Sequence, residues 1–366
     1  MARQSATRAK FFPAAQGYRM PAEWEPHEST WLAWPHLRGD WPGKFEPIPW
    51  VYAEIIRNLA RYERVDLIVN TETAERRARA ALEQADALSN NVCFHRWRTD
   101  RVWTRDSGCI YLAPPAGHRD ARLLALHFQF NGWAKYPNYE LDEKIGARMA
   151  KATGARVVRP VSGDHRIVLE GGSIDVNGCG TLLTTEECLL STTQQRNPPM
   201  DRAGYEQMFA DYFGAPSVIW LDSGIAGDDT HGHVDDITRF VAPNTVVTMI
   251  EPNGQSENYA TLHANLGRLK AARTSDGQRL EIVEIPMPRP VVFEGRQLPA
   301  SYANFYIANS VVLVPVFNDP NDRIALNSLA ELFPTREIVP IYCGDLIWGF
   351  GALHCMTQQQ PAKLTS

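Results

Sequence analysis

NFYIANSVVLVPVFNDPNDRIALNSLAELFPTREIVPIYC, residues 304–343, holds one complete structural unit. NFYIAN (304–309) reads as a strand, Ser310 opens a second, and VVLVPVF (311–317) continues it, as β-branched and aromatic runs do. Pro315 has no N–H to give a ladder, so it is expected at an edge or a bulge. The period then changes. In NDPNDRIALNSLAELF (318–333), Ile324, Leu326, Leu329, Leu332 and Phe333 recur at three- and four-residue steps, which is one face of a helix. Asp319 is the expected N-cap and Pro320 the first helical residue. REIVPIYC (336–343) returns as a strand, and the unit is strand–strand–helix–strand.

The same order runs back through the chain. ITRFVAP (237–243) and NTVVTMIEP (244–252) precede a helix around ENYATLHANLGRLKAA (257–272) and the strand LEIVEIP (280–286). GGSIDVNG (171–178), GTLLTTEECLL (180–190), the helix DRAGYEQMFADYFG (201–214) and PSVIWLD (216–222) repeat it. So do SGCIYLAP (107–114), ARLLALHFQF (121–130), the helix ELDEKIGARMAKATG (140–154) and ARVVRPV (155–161). STWLAWP (29–35), the helix VYAEIIRNLARY (51–62) and RVDLIVN (64–70) give a shorter version. Five related units imply an internal repeat of topology in an α/β fold. Asp106, Glu170, Asp235 and Tyr302 are successively 64, 65 and 67 residues apart, each at or just before the first strand of its unit. Units set around a pseudo-symmetry axis would bring these positions to one end of it. The expected organisation is a flexible lead over 1–18 and one catalytic domain over 19–362.

Composition bounds the function. The chain has 366 residues, 44% hydrophobic and 22% charged, with a net charge of −5. It lacks the basic excess of a nucleic-acid binder. It also lacks the apolar run of about 18 residues that a membrane span needs. MARQSATRAKFFPAAQ has no apolar core of the secretory kind, so no signal is expected there. Six cysteines without a CxxC pair read as reduced thiols in the cytoplasm.

Four stretches carry chemistry: VWTRDSG (102–108), LEGGS (169–173), HGHVDD (231–236) and GFGALHCMTQQQ (349–360). Each alone has a plain explanation, as a surface ion pair, a turn or a packed thiol. Together they gather a cysteine, histidines and several carboxylates through a repeat of about 65 residues. HGHVDD also has the look of an HxHxD metal motif, and these residues alone leave that reading open.

The sequence resembles the agmatine deiminase family, within the guanidine-modifying pentein superfamily. The matching stretches are MPAEWEPHESTWLAWPH (20–36), WTRDSG (103–108), FNGWAKYPN (130–138), LEGGSIDVNGCGTLLTTEECLLS (169–191), DDTHGHVDD (228–236), SYANF (301–305) and LHCMTQQQP (353–361). The resemblance implies a five-bladed α/β propeller of ββαβ units. It implies a cysteine hydrolase of linear amidines that needs no metal and no cofactor, so HGHVDD becomes catalytic machinery. By residue, it implies Cys355 as nucleophile, His233 as general acid/base, Asp106 and Asp235 as the carboxylates that grip the guanidinium, and Glu170 as the acid that orients the histidine. Trp103, Trp133 and Gly351 are expected at the substrate. The partner is then a small guanidine cation such as agmatine, with homo-oligomers allowed and neither nucleic acid nor membrane involved.

Family members carry GGGNIHC where this chain has GFGALHC, so Phe350 is expected to reshape the pocket. His231 is given no catalytic role. Deimination of peptidyl-arginine or free arginine keeps the chemistry and changes the substrate. A metallohydrolase built on HGHVDD is a separate class, but Asp236 stands where its motif needs a histidine. A relative without activity is the third alternative, and the filled catalytic positions argue against it.

Overall fold

Four sheets in the computed structural model, which describes residues 11–117, 122–198 and 200–362, share one plan. A short first strand runs antiparallel to a central strand, and the central strand runs parallel to a third. The sets are Ile110–Leu112, Leu124–Leu126 and Arg156–Val158; Asp175–Val176, Thr181–Thr185 and Ser217–Leu221; Thr238–Ala242, Thr245–Ile250 and Glu281–Pro286; and Tyr306–Ile307, Val311–Val316 and Glu337–Tyr342. A parallel pair needs a crossover of about a dozen residues. The helices Ile145–Thr153, Arg202–Phe213, Asn258–Ala271 and Asp322–Leu332 supply it. Central strands such as Thr181–Thr185 are buried throughout, which is why they read as nearly continuous apolar runs. The result is a mixed α/β fold.

The fifth sheet is assembled from both ends of the chain. Gln358–Pro361 pairs antiparallel with His27–Ala33, which runs parallel to Arg64–Val69 and then to Val92–Arg96. The shorter unit expected at the N-terminus therefore gains a helix, Glu72–Gln84, and an extra edge strand, and its antiparallel strand follows Cys355.

Other details depart from expectation for local reasons. Pro315 lies in the middle strand of its sheet, between Tyr306–Ile307 and Glu337–Tyr342. The antiparallel pairs end at Leu313, so Pro315 interrupts no bond on that side. Asp319 does not cap the helix, which starts at Asp322 after Asn321. The Asp322 carboxylate instead accepts from the Phe317 and Asp319 N–H groups, tying down the turn before it. Ala325 and Leu329 face the core and Ile324 is exposed, so the apolar face is narrower than the periodicity suggested. The strand expected over GTLLTTEECLL stops at Thr185, whose side chain accepts from the Cys188 N–H and caps the helical turn Glu186–Leu190. Of the lead expected over 1–18, residues 1–10 lie outside the described residues. Of residues 11–18, the Phe12 ring meets Tyr212 at 5.8 Å and Tyr18 is buried, while Ala15, Gln16 and Gly17 are exposed.

Each first strand is entered through a tight turn: Thr104–Ser107, Gly171–Ser173, Val234–Asp236, Tyr302–Asn304, and the turn holding Cys355. These turns meet. The Arg105 N–H donates to the Cys355 carbonyl at 3.3 Å, and the Gly172 N–H donates to Asp106 at 3.0 Å. Ser301 donates to the Asp236 carbonyl at 2.7 Å, and the His354 N–H donates to the Asn304 carbonyl at 3.1 Å. The spacing of about 65 residues thus delivers four turns to one place, and the turn holding Cys355, 53 residues after Tyr302, joins them.

Candidate active site

Two carboxylates stand at the centre. Asp106 accepts from the Trp133 indole N–H at 2.9 Å and from the Gly172 N–H at 3.0 Å. Burial pushes its carboxyl up to about 6, with Asp235 and Glu170 adding to the rise and His233 and Trp133 opposing it. Asp235 is tied to His354, with Oδ2 and Nδ1 2.7 Å apart. Burial alone would raise the Asp235 carboxyl, but the bond to His354 and the charge of His233 hold it below the usual range. His354 passes the connection on: its Nε2 lies 2.8 Å from Glu23. Glu23 in turn accepts from Arg105 at 3.2 Å and from the Ile307 N–H at 2.8 Å, and it pairs with Arg239 at 3.0 Å.

His233 is wholly buried among acids. Its Nδ1 is 3.9 Å from Asp106 and 4.0 Å from Asp235, and its Nε2 is 3.8 Å from Glu170. Burial disfavours the imidazolium, but Asp106, the Cys188 thiol and Glu170 outweigh it, so the ring titrates well above an ordinary histidine. Glu170 is held down at about 2. Burial works against its charge, and Arg196, which donates to it at 3.1 Å, together with His233 overcomes that penalty. Only glycine fits at 172. A Cβ there would lie 2.6 Å from His233 Nδ1 and 3.0 Å from both Asp106 and Asp235.

Cys355 faces this cluster. Its Sγ accepts from the Asn304 amide at 3.1 Å and lies 3.7 Å from Asp235 Oδ2. Burial first, then Asp235, Asp236 and Asp106, raise the thiol well above its ordinary value. Above the sulfur opens a cavity of about 310 Å³ walled by Trp103, Trp133, Tyr136 and Phe350. Gly351 lets the wall close: a side chain there would lie 2.7 Å from the Trp103 ring and 3.1 Å from the Cys355 Cβ.

A planar cation between two carboxylates, with a sulfur in front and an imidazolium behind, is the arrangement a guanidine hydrolase requires. Comparison with known proteins agrees. The family model described as Porphyromonas-type peptidyl-arginine deiminase matches residues 19–361. Agmatine deiminase of Pseudomonas aeruginosa (strain LESB58) is 34% identical over 373 residues, covering 96% of this chain and 97% of that one. The chain belongs to the agmatine deiminase family. Among solved structures, the agmatine deiminase of Enterococcus faecalis superposes with a TM-score of 0.88 at 27% identity, covering 98% of this chain and 99% of the other. A C. jejuni agmatine deiminase with substrate bound does so at 0.82 and 29%, covering 95% and 97%.

Within this family member, all the residues singled out from sequence meet at one centre: Cys355, His233, Glu170, Asp106 and Asp235, with Trp103, Trp133 and Gly351 around the cavity. His231 does not join them. It has a left-handed backbone (φ 66°) and turns to Ser191 at 3.1 Å, with Glu187 at 3.6 Å, so the HxHxD pattern does not assemble. Phe350 also sits at positive φ (65°), where glycine is at ease, and its ring lies 4.3 Å from the Arg296 guanidinium. Sequence reasoning missed Arg196, Asn304, Glu23 and His354. For Glu23, His354 and Asn304, the stretches MPAEWEPHE, LHC and SYANF carried a signal that was not followed. Arg196 had none. No helix among the described residues is long and apolar enough to cross a membrane, and all six cysteines are free thiols.

Proposed function

We propose that this chain hydrolyses the guanidinium of agmatine to N-carbamoylputrescine and ammonia, with Cys355 as nucleophile. The observation that carries the reading is Cys355 and Asp106 on the floor of an aromatic cavity, with Asp235 3.7 Å from the sulfur and His233 behind the carboxylates. Supporting agmatine over free arginine, the cations at the cavity are already engaged: Arg101 with Asp40, and Lys135 and Arg296 with Asp229. Among the described residues, none at the cavity is left for an α-carboxylate. The reading includes a domain over 19–362 in which the five units circle a pseudo-symmetry axis as blades, with the centre at one end. It also includes a reducing, cytoplasmic setting for the thiol.

The two carboxylates hold the guanidinium through charge-assisted hydrogen bonds and fix its carbon before the sulfur. As the cation enters, the Cys355 proton passes to solvent through the cavity, since the substrate's charge offsets the carboxylates that otherwise keep it on. The thiolate adds to the carbon, giving a neutral tetrahedral adduct. His233 gives its proton to one nitrogen, which leaves as ammonia, and a cationic S-alkylthiouronium remains on Cys355. Neutral His233 then takes a proton from water while the oxygen adds to the same carbon. Collapse expels the sulfur, which takes the O–H proton and returns to the Cys355 thiol, and the urea is left. Glu170 keeps His233 oriented throughout.

Incubating the enzyme separately with agmatine, arginine and an arginine peptide tests the substrate. N-carbamoylputrescine with ammonia from agmatine alone is expected. Turnover of only the peptide or the amino acid would move the substrate and keep the chemistry.

Two titrations test the mechanism. Iodoacetamide should alkylate Cys355 in substrate-free enzyme with an apparent pKa above the free-thiol value of about 8.5, and Asp235→Asn should lower it. An apparent value well below that of a free thiol would refute substrate-assisted ionisation. Asp106 must be an anion to bind the substrate, so kcat/KM, which reports the free enzyme, should fall as pH drops through about 6. The Trp133 N–H favours the anion. Trp133→Phe should therefore shift that acid limb to higher pH, and an unmoved limb would remove Asp106 as its source.

A further inference from the structure

We infer that Glu170, Cys188 and His233 form a binding site for a thiophilic divalent cation such as zinc, and that occupancy switches the catalytic centre off. The inhibitory part rests on the acid/base role proposed for His233, and the binding part does not. One ligand atom from each residue lies within 4.8 Å of the other two. His233 Nε2 and Glu170 Oε2 are 3.8 Å apart. Zinc bonds of about 2.0–2.2 Å to nitrogen and oxygen in a tetrahedron put such a pair roughly 3.3–3.6 Å apart, so these two atoms need to close by only a few tenths of an ångström. The donors are one imidazole, one thiol and one carboxylate, the set zinc prefers.

Two of the three donor atoms are free to bind. Glu170 Oε2 and His233 Nε2 are wholly buried, and neither has a hydrogen-bond partner among the described residues. The second Glu170 oxygen is held by Arg196 at 3.1 Å, which leaves Oε2 turned toward the histidine. Cys188 is fixed by the Thr185 cap, which accepts its N–H at 3.1 Å. The other cluster of possible ligands, Asp235, Asp236 and Cys355, contains no imidazole, and although Asp235 Oδ1 has no hydrogen-bond partner among the described residues, one atom of each residue is engaged. Asp235 Oδ2 is bonded to His354, Asp236 Oδ1 to the Asn304 amide, and Cys355 Sγ to the same amide. Asp106, which lines the cavity, lies 3.9 Å from the other ring nitrogen of His233, Nδ1. Binding to the thiolate and the neutral imidazole releases the Cys188 proton and the extra proton of His233. With Nε2 tied to the ion, His233 keeps only the Nδ1–H of a neutral imidazole, a far weaker acid than the imidazolium that protonates the departing nitrogen.

Cadmium reports the site without turnover, through the ultraviolet charge-transfer band of a cadmium–thiolate bond. The full-length Cys355→Ser protein should develop this band, saturating at one ion per chain, and Cys188→Ser/Cys355→Ser should lose it. In the activity assay, Cys188→Ser should need at least about tenfold more zinc than the unsubstituted enzyme for half-inhibition. Cys188→Ala serves if the serine variant folds poorly. An equal band in the single and double variants, or unchanged zinc sensitivity in Cys188→Ser, would overturn the site. If agmatine is not turned over at all, the functional reading fails, and the cadmium band still decides the site.

Discussion

Replacing Cys355 with alanine should lower agmatine turnover by about 10⁴-fold or more, since losing a nucleophile removes the covalent route entirely. Binding should survive. Asp106 keeps its bonds from Trp133 and Gly172, and Asp235 keeps its contact with His354. Calorimetry on Cys355→Ala should therefore still detect agmatine. At a concentration near 100 times Kd, the ligand should stabilise the variant by about 2.7 kcal/mol. The split between lost chemistry and kept affinity is the diagnostic result. Comparable turnover in the variant would place the chemistry elsewhere. Loss of both affinity and turnover would mean that the sulfur is needed to shape the guanidinium site.

Removing Arg196 should have the largest effect on stability. Arg196→Met leaves the Glu170 carboxylate buried with no guanidinium beside it, although both side chains are fully enclosed. Breaking a buried pair from one side costs about 3–5 kcal/mol. The sign with pH follows from Glu170. Its carboxyl titrates at about 2 when folded, below the value of about 4.3 of an unfolded chain. Its contribution to stability is therefore complete above the unfolded value and is lost as pH falls toward 2. Urea unfolding should show the full deficit at pH 7 and a smaller one near pH 3. Adding Glu170→Gln should recover part of it, because the orphaned charge is gone. A deficit under about 1 kcal/mol at pH 7, or one that ignores pH, would show that the pair is not what holds this corner together.

What could be read in advance divides along physical lines. The repeating units were legible because strands buried on both faces are apolar runs and the crossover helices change the period. The helix Glu72–Gln84 was passed over because only Glu75, Ala78 and Leu82 are buried, so its sequence reads as solvated. Gln358–Pro361 was missed because glutamines carry no strand signal. They are buried through hydrogen bonds, Gln358 to the Cys109 carbonyl and Gln360 to Ser29. The reactive residues stood out by type and by spacing. Their supports did not: Arg196 is an ordinary arginine until Glu170 is placed beside it, and Glu23 reaches Asp235 only through His354. Chemistry concentrates in unusual residues, whereas the groups that orient them are common ones brought close by the fold.

The strand that follows the nucleophile has a kinetic consequence. Ser29 and Gln360, bonded across the fifth sheet, are 331 residues apart in sequence. Contacts of such separation carry the highest loop-closure cost and are made late in folding. Cys355 lies three residues before that strand, and its carbonyl is bonded to Arg105. Partly folded chains, with four sheets formed and this one open, would hold the nucleophile away from its carboxylates. During refolding, recovery of turnover should therefore lag behind recovery of secondary structure, and activity itself serves as the clock for the final closure.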